Sequence, residues 1–300
     1  MADLLHRLFR AGRHDIALGR LFEGHVDAWQ ILYRYGGRDQ FEALERGDGS
    51  HAILGVWNAE GPGYTLEQSE KGLTGGKSYA SGAGILTHAL VTSAAGTPQT
   101  QLHLIDLEQN PGRVDESWWR VSGMRHSETH RVQWAGASSE SIGEPGDYER
   151  EPWFSAGALR FATVQIGGLT GLLDAVCDHL TRLKRADDIV QQRRLAALHG
   201  EASAAAALVL STGRTWVSKG DDFDTTIVAN LRNVVYAACE RGIALAQQAC
   251  GTAAYFEEFP VCRFAQDLGM YIRQPGPDAQ LAEVGAAVAS GSLDVWPCAP

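Results

Sequence analysis

Gly75-Gly76-Lys77-Ser78 imitates the end of a phosphate-binding loop, in which a glycine-rich turn delivers backbone N–H groups to phosphate oxygens ahead of a helix. The first glycine of that pattern would stand at position 71, which is Lys71, and the following Tyr79-Ala80-Ser81-Gly82-Ala83-Gly84 does not read as a helix. Nucleotide hydrolysis is set aside on those two grounds. Ser81 lacks the first glycine of a G-x-S-x-G nucleophile elbow and has no base near it, so it is expected to be a hydrogen-bonding residue at a strand end. In an extended strand His126, Glu128 and His130 would share one face and could hold a metal. Their spacing is not H-E-x-x-H, however, and a solvated strand face accounts for it as well, so no metal is expected. Trp57, Trp118, Trp119, Trp134 and Tyr79 gather aromatic surface in the same region. They are either core or, for Trp57 and Tyr79, the wall of a pocket for a flat heterocycle.

Residues 3–36 carry Leu18, Leu21, Phe22, Val26 and Trp29 at helical spacing until Gly36-Gly37, with a further turn or two over 39–46. From His51 short apolar runs, 51–57, 87–93 and 101–107, alternate with Gly, Pro and Asn, the texture of a sheet with frequent turns. After Pro152 the period changes again: Leu169, Leu172, Leu173, Val176, Leu180 and Leu183 lie on one helix face, and Ile227, Leu231, Val234, Val235 and Ala238 on another. Further helices are expected over 191–210 and before Gly276. Helices with one apolar stripe and short connections pack as a bundle.

A net charge of -10 over 300 residues removes the attraction on which phosphate-backbone binding depends, so nucleic acid is not an expected partner. Five cysteines, an odd number with no CxxC spacing, read as reduced thiols. The longest nearly continuous apolar run, Ala202 to Leu210, is short of the ~20 residues a bilayer requires. Arg7, Arg10, Arg13 and Arg20 superficially suggest a transit peptide, but Asp3 and Asp15 oppose that reading. A complete, cytoplasmic protein without membrane partners is the expectation.

The order of these residues resembles the acyl-CoA dehydrogenase family from about Asp15 to Gly285. Val56-Trp57-Asn58-Ala59-Glu60-Gly61-Pro62 occupies the slot of the family's Thr-Glu-Pro turn, and Gly76-Lys77-Ser78-Tyr79-Ala80-Ser81 that of its glycine-lysine strand and Trp-Ile-Thr. Gly123-Met124-Arg125 with Ser127, the strand ending at Trp134, and Ile142-Gly143-Glu144-Pro145-Gly146 match the end of the flavin domain. The resemblance implies an α+β fold: short N-terminal helices over 1–48, a central β-barrel-like, flavin-binding domain over 49–150, a C-terminal four-helix bundle over 151–290 and a tail over 291–300. It implies FAD as cofactor, with Trp57, Asn58, Tyr79 and Ser81 around the isoalloxazine. Gln248, Gly251 and Thr252 would meet the adenine half of a neighbouring subunit's FAD, and Arg182 or Arg185 would replace the family's cross-dimer arginine at a different spacing.

Three departures from the family shape the expected chemistry. Only about fifty residues precede the β-domain, so one wall of the substrate pocket is expected to be missing. The cross-dimer stretch is replaced by Arg185-Ala-Asp-Asp-Ile-Val-Gln-Gln192. The catalytic loop, beyond Arg263 and Asp267, reads Tyr271-Ile272-Arg273-Gln274-Pro275, and the alternative base position is Leu159 before Arg160. α,β-Dehydrogenation needs a carboxylate at the α-proton, and here the nearby carboxylates are Glu257, Glu258, Asp278 and Asp267. Arg273 is instead suited to hold an anionic substrate group. The expected function is thus a FAD-dependent oxidoreductase acting on a small molecule or acyl-thioester of non-standard type, as a homodimer or homotetramer. The alternatives are a flavin monooxygenase on the same fold, which needs no α-carbon base, and a non-catalytic subunit completed by a partner subunit.

Overall fold

Asp15 divides the first helical stretch. Its backbone is extended, and its carboxylate accepts the amide of Leu18 at 2.9 Å, a capping geometry that ends one helix and begins the next. The single helix expected over 3–36 is therefore two, α1 (Ala2–His14) and α2 (Ile16–Tyr35), followed by α3 (Arg38–Glu45). The computed structural model describes residues 1–45, 52–273 and 276–295. His51, Gln274, Pro275 and Cys298 lie outside the described residues. The chain forms two compact units, one of Met1–Gly19, Ser122–Met124 and Glu151–Pro300, the other of Arg20–Val121 and Arg125–Arg150.

The second unit holds the strands β1 (Leu54–Trp57), β2 (Leu66–Ser69), β3 (Gly72–Ala80), β4 (His88–Ser93), β5 (Gln101–Asp106), β6 (Arg113–Asp115), β7 (His130–Ala137) and β8 (Glu140–Ile142). They form two four-stranded sheets, in the orders β1-β4-β5-β8 and β2-β3-β7-β6. Among the described residues the strands do not join into one closed ring, so the barrel-like domain is a pair of sheets. Between them lies a core of Trp57, Leu73, Val91, Ile105, Val132 and Trp134. The other face of the first sheet packs Leu54, Leu90, Leu102 and Leu104 against Ala28, Ile31 and Leu32 of α2. The alternation of apolar residues along β4 and β5 is blurred because both faces of that sheet are covered.

A two-residue turn, Glu70-Lys71, joins β2 to β3 in the register Ser69↔Gly72, Leu66↔Gly75. Gly75 has φ +111°, and a Cβ there would stand 1.9 Å from the Thr65 carbonyl oxygen. Its glycine thus serves the close approach of two backbones, not phosphate binding.

On β5, His103 is fully buried with Nε2 2.8 Å from Ser93 Oγ. Burial, and secondarily the Lys77 charge, pushes its pKa down from 6.5 to about 4. Between those values the unfolded chain takes up a proton that the folded chain refuses, so this contribution to stability is complete above about pH 6.5 and is lost as pH falls toward 4. The difference amounts to roughly 3 kcal/mol. Urea midpoints measured at pH 7 and pH 5 are expected to fall more steeply for the wild type than for His103→Gln.

In the first unit follow α4 (Trp153–Ala156), α5 (Ala158–Arg182), α6 (Ile189–Lys219), α7 (Thr225–Cys250), α8 (Pro260–Tyr271) and α9 (Pro277–Ser290). Asp188 caps α6 by accepting from Val190 N at 2.8 Å, and Asp224 caps α7 by accepting from Thr226 N at 2.9 Å. Leu169, Leu172, Val176 and Leu180 are buried as the spacing predicts, whereas Leu183, beyond the end of α5, is 53% exposed. α5, α6, α7 and α8 make the bundle; α1 lies along α5 and α9 along α7. By length and composition α6 is apolar enough to cross a bilayer. Its apolar run is not continuous, because charged residues interrupt the helix; one of them, Glu201, pairs with Arg241 of α7 at 2.6 Å. Cys177, Cys239, Cys250 and Cys262 form no disulfide with one another.

Candidate functional site

Pairing between β3 and β7 shifts once between Leu73↔Ala137 and Thr74↔Ala135, runs regularly from there to Lys77↔Val132, skips again, and resumes at Ala80↔His130. The skipped residues, Ser78 and Tyr79, form a bulge, a device that re-aims side chains and is frequent beside active sites. Tyr79 has φ +54°, a left-handed conformation that disfavours a bulky residue. Its ring is 47% exposed and meets Trp118 edge-on at 4.9 Å and Trp119 at 6.2 Å. The Arg131 guanidinium lies 4.6 Å from the Trp118 ring centroid and 4.7 Å from that of Tyr64. The result is an exposed aromatic platform backed by a stacked cation, a surface suited to a flat ligand.

Hydroxyl groups border this platform. Ser81 Oγ accepts from Thr129 Oγ1 at 3.0 Å, and Thr129 is 2.7 Å from Ser127 Oγ. With its acceptor side occupied, Ser81 keeps its own hydrogen for a ligand. Around the bulge, Ser78 Oγ, His130 Nδ1 and Arg131 Nε are buried without a hydrogen-bond partner among the described residues. Orphaned polar atoms concentrated at one strand end, next to an exposed ring, fit a polar heterocycle better than they fit a closed core.

Asn58 lies in the loop after β1. Its Oδ1 accepts a short hydrogen bond from Thr92 Oγ1, and its backbone carbonyl accepts from Lys77 Nζ at 3.3 Å. Trp57, expected as a possible flavin wall, is only 2% exposed, stacks on Trp134 at 6.2 Å and donates its indole N–H to Ser81 O at 2.9 Å. It is core, and it shapes the site only by holding Ser81. His126, Glu128 and His130 do not share a strand face: 125–127 is a 3-10 turn, Glu128 has φ +45° and β7 begins at His130. Glu128 reaches back to His130 Nε2 at 3.2 Å instead.

The residues expected to act from the bundle are placed as follows. Arg273 is exposed, pairs with Glu240 at 2.8 Å and lies over the Tyr236 ring at 5.0 Å. Glu257 and Glu258 sit exposed on the turn before α8, and Asp278 is exposed in the first turn of α9. Asp267 is buried and accepts the amide of Met124 at 2.5 Å. Arg185, exposed, pairs with Asp188 at 3.5 Å; Gln248 is exposed near the end of α7, and Gly251, with φ +61°, terminates that helix. The buried Gln191 carboxamide lies between them: in one orientation its N–H donates to the Ala249 carbonyl at 3.4 Å, and with its oxygen and nitrogen exchanged it accepts from Arg185 at 3.1 Å.

Sequence reading missed Thr92, Thr129 and Arg131. Thr92 is an unremarkable hydroxyl within β4 and Thr129 one just before β7; Arg131 of β7 is paired with Asp115 of β6, and that cross-strand pairing brings it beside Trp118.

No protein-family model and no curated protein matches the chain. Solved structures do. TdsC from Paenibacillus sp. A11-2 with FMN and indole aligns at TM-score 0.81 and 17% identity over 96% of this chain and 83% of that one. Butyryl-CoA dehydrogenase from Megasphaera elsdenii aligns at TM-score 0.79 and 16% identity over 95% and 81%. 3-HSA hydroxylase from Rhodococcus sp. RHA1 aligns at TM-score 0.76 and 16% identity over 98% and 83%. At such identities the likeness speaks for the path of the backbone. The chain has the acyl-CoA dehydrogenase-like fold.

Proposed function

We propose that the protein is a flavin-dependent oxidoreductase and, within that class, a monooxygenase acting on a planar aromatic substrate. The observation that carries this reading is the Tyr79 platform: a half-exposed ring held at a strained bulge, flanked by Trp118 and Trp119 and bordered by the Ser81 hydroxyl. A bound flavin supplies either hydride acceptance or oxygen activation. The chain's own part is to seat the flat ring system against Tyr79 and to donate the Ser81 hydrogen to its polar edge. Likeness to TdsC and to 3-HSA hydroxylase supports the monooxygenase reading. So does the engagement of the bundle residues: Asp267 is committed to the Met124 amide and Arg273 to Glu240.

A dehydrogenase remains the second reading, favoured by the likeness to butyryl-CoA dehydrogenase. The two are separated by reducing the flavin-loaded protein chemically and admitting oxygen with an aromatic substrate, against anaerobic mixing with acyl-CoAs. Hydroxylated product in the first arm supports the proposal. Bleaching of the flavin by an acyl-CoA in the second would replace it with dehydrogenation.

FAD is the form we favour over FMN. Arg185, Gln248 and Gly251 are exposed, and Gln191 is within hydrogen-bond reach of Arg185 and of the Ala249 carbonyl next to Gln248, so the adenine half of a second copy's cofactor would meet them there. Arg185→Ala is expected to weaken FAD binding by about 3–10-fold, the worth of one hydrogen bond, and to leave FMN binding unchanged in parallel fluorescence titrations. A homodimer or homotetramer fits the apolar side chains that α6 exposes, Ile189, Val190, Leu210 and Val217.

A further inference from the structure

Lys77 is the least expected buried residue of the second unit. Its side chain is 0% exposed, and its ammonium group donates to Glu60 Oε1 at 2.9 Å, Thr92 Oγ1 at 3.1 Å and Asn58 O at 3.3 Å. Three donors meet three oxygens, so the cost of burying the charge is offset by full hydrogen bonding.

An ammonium group has no lone pair to offer. The Thr92 hydroxyl, which accepts from Lys77, must therefore donate its own hydrogen elsewhere, and the group in line is the Asn58 side chain. A carboxamide can receive that hydrogen only with its oxygen. The amide of Asn58 is thereby fixed with Oδ1 turned inward and Nδ2 turned away from the network. The orientation of an asparagine amide is normally inferred from its neighbours; here a donor-only cation two bonds away dictates it.

We propose that Lys77 and Thr92 are positioning residues that set the hydrogen-bond polarity of Asn58, so that this side chain presents N–H to an acceptor of the bound ligand. Resting on the flavin reading above, the acceptor is a carbonyl oxygen or unprotonated ring nitrogen of the isoalloxazine edge. Ser81 and Asn58 then both offer hydrogens, and the site recognises an acceptor-rich rim. The loop carrying Asn58 is held by Lys77 through its carbonyl, while the choice of donor or acceptor is held through Thr92.

Asn58→Asp is the sharpest variant, since it exchanges NH2 for O while the inner oxygen still accepts from Thr92. FMN is the probe, monitored by fluorescence quenching, with thermal unfolding and the 15N–1H signals of the Asn58 side-chain amide in the uncomplexed and FMN-bound chain as further readouts. Asn58→Asp is expected to weaken FMN binding by at least about tenfold, Thr92→Val by about 3–10-fold, and Thr92→Ser to bind as the wild type. The wild-type amide signals should shift on FMN addition, a response that a purely structural role for the network would not produce. Unchanged affinity in Asn58→Asp, or amide signals that do not move, overturns the inference while the flavin reading stands. A wild-type chain that takes up neither FMN nor FAD overturns both. The amide measurement needs no variant, so it decides the matter even if Thr92→Val does not fold.

Discussion

Trp57→Ala is expected to cost the two-sheet unit about 3–5 kcal/mol, the range for removing a large aromatic from a packed core. Folded domains commonly have a total stability of 5–15 kcal/mol, so the variant should unfold at much lower urea or be recovered as aggregate. Two effects add. The indole lies between the sheets and stacks on Trp134 with an interplanar angle of 27°, so truncation leaves a cavity walled by both sheets. The Ser81 carbonyl also loses the indole donor it has at 2.9 Å, and leaving an acceptor unsatisfied costs up to about 1–3 kcal/mol. Trp57→Phe separates the two, because it keeps most of the packing and leaves the carbonyl without that donor. Its loss in urea titrations should be nearer 1–3 kcal/mol, with flavin affinity falling alongside as Ser81 relaxes.

The second large effect is expected at the contact of α1 with α5. A Cβ at Gly12 would stand 2.2 Å from the Val164 carbonyl oxygen, and one at Gly167 would stand 2.2 Å from that of Phe9. Both obstacles are backbone, which cannot turn aside as a side chain can. Gly167→Ala gains up to about 1 kcal/mol in helix propensity but forces the two helices apart, and overpacking of that kind costs about 1–3 kcal/mol or more. The separation wins because Leu5 and Leu8, both buried, leave their contacts together. A 13-residue helix is marginal alone, so α1 should come away rather than slide. Limited proteolysis is expected to cleave within 1–15 in Gly167→Ala while the remaining bundle resists, and Gly12→Ala should behave likewise. If Gly167→Ala unfolds at the wild-type midpoint with α1 protected, the close approach is not what holds this helix.

Much of the architecture was legible from period alone. The bundle helices emerged because leucines at three- and four-residue spacing have only one way to be buried, and Leu169, Leu172, Val176 and Leu180 are buried accordingly. The division at Asp15 carries a signal too, since an aspartate three residues before Leu18 can cap a helix, but the apolar stripe that continues across it masks the break. The site was harder. Alternation along β1 places Trp57 on one face but does not say whether that face meets a ligand or a second sheet. The bulge at Ser78-Tyr79 leaves no mark in composition, because Tyr79 adopts a left-handed backbone without being glycine or asparagine. Gly75-Gly76-Lys77-Ser78 has the look of a phosphate-binding loop, whereas Lys77 is wholly buried, a rare state for lysine, and its partners lie 15, 17 and 19 residues away in sequence. His126, Glu128 and His130 failed as a trio because the strand assumed for them begins only at the last.

The contact between Arg13 and Asp174, 2.6 Å in space and 161 residues apart in sequence, bears on how the chain is made. During synthesis α1 leaves the ribosome well before α5, the helix it lies against. At about 5–20 residues per second that interval lasts on the order of ten seconds, during which residues 20–150 can assemble their own sheets. For that time the apolar face of α1 has no native partner, which makes it the part of the nascent protein that a holding chaperone would meet.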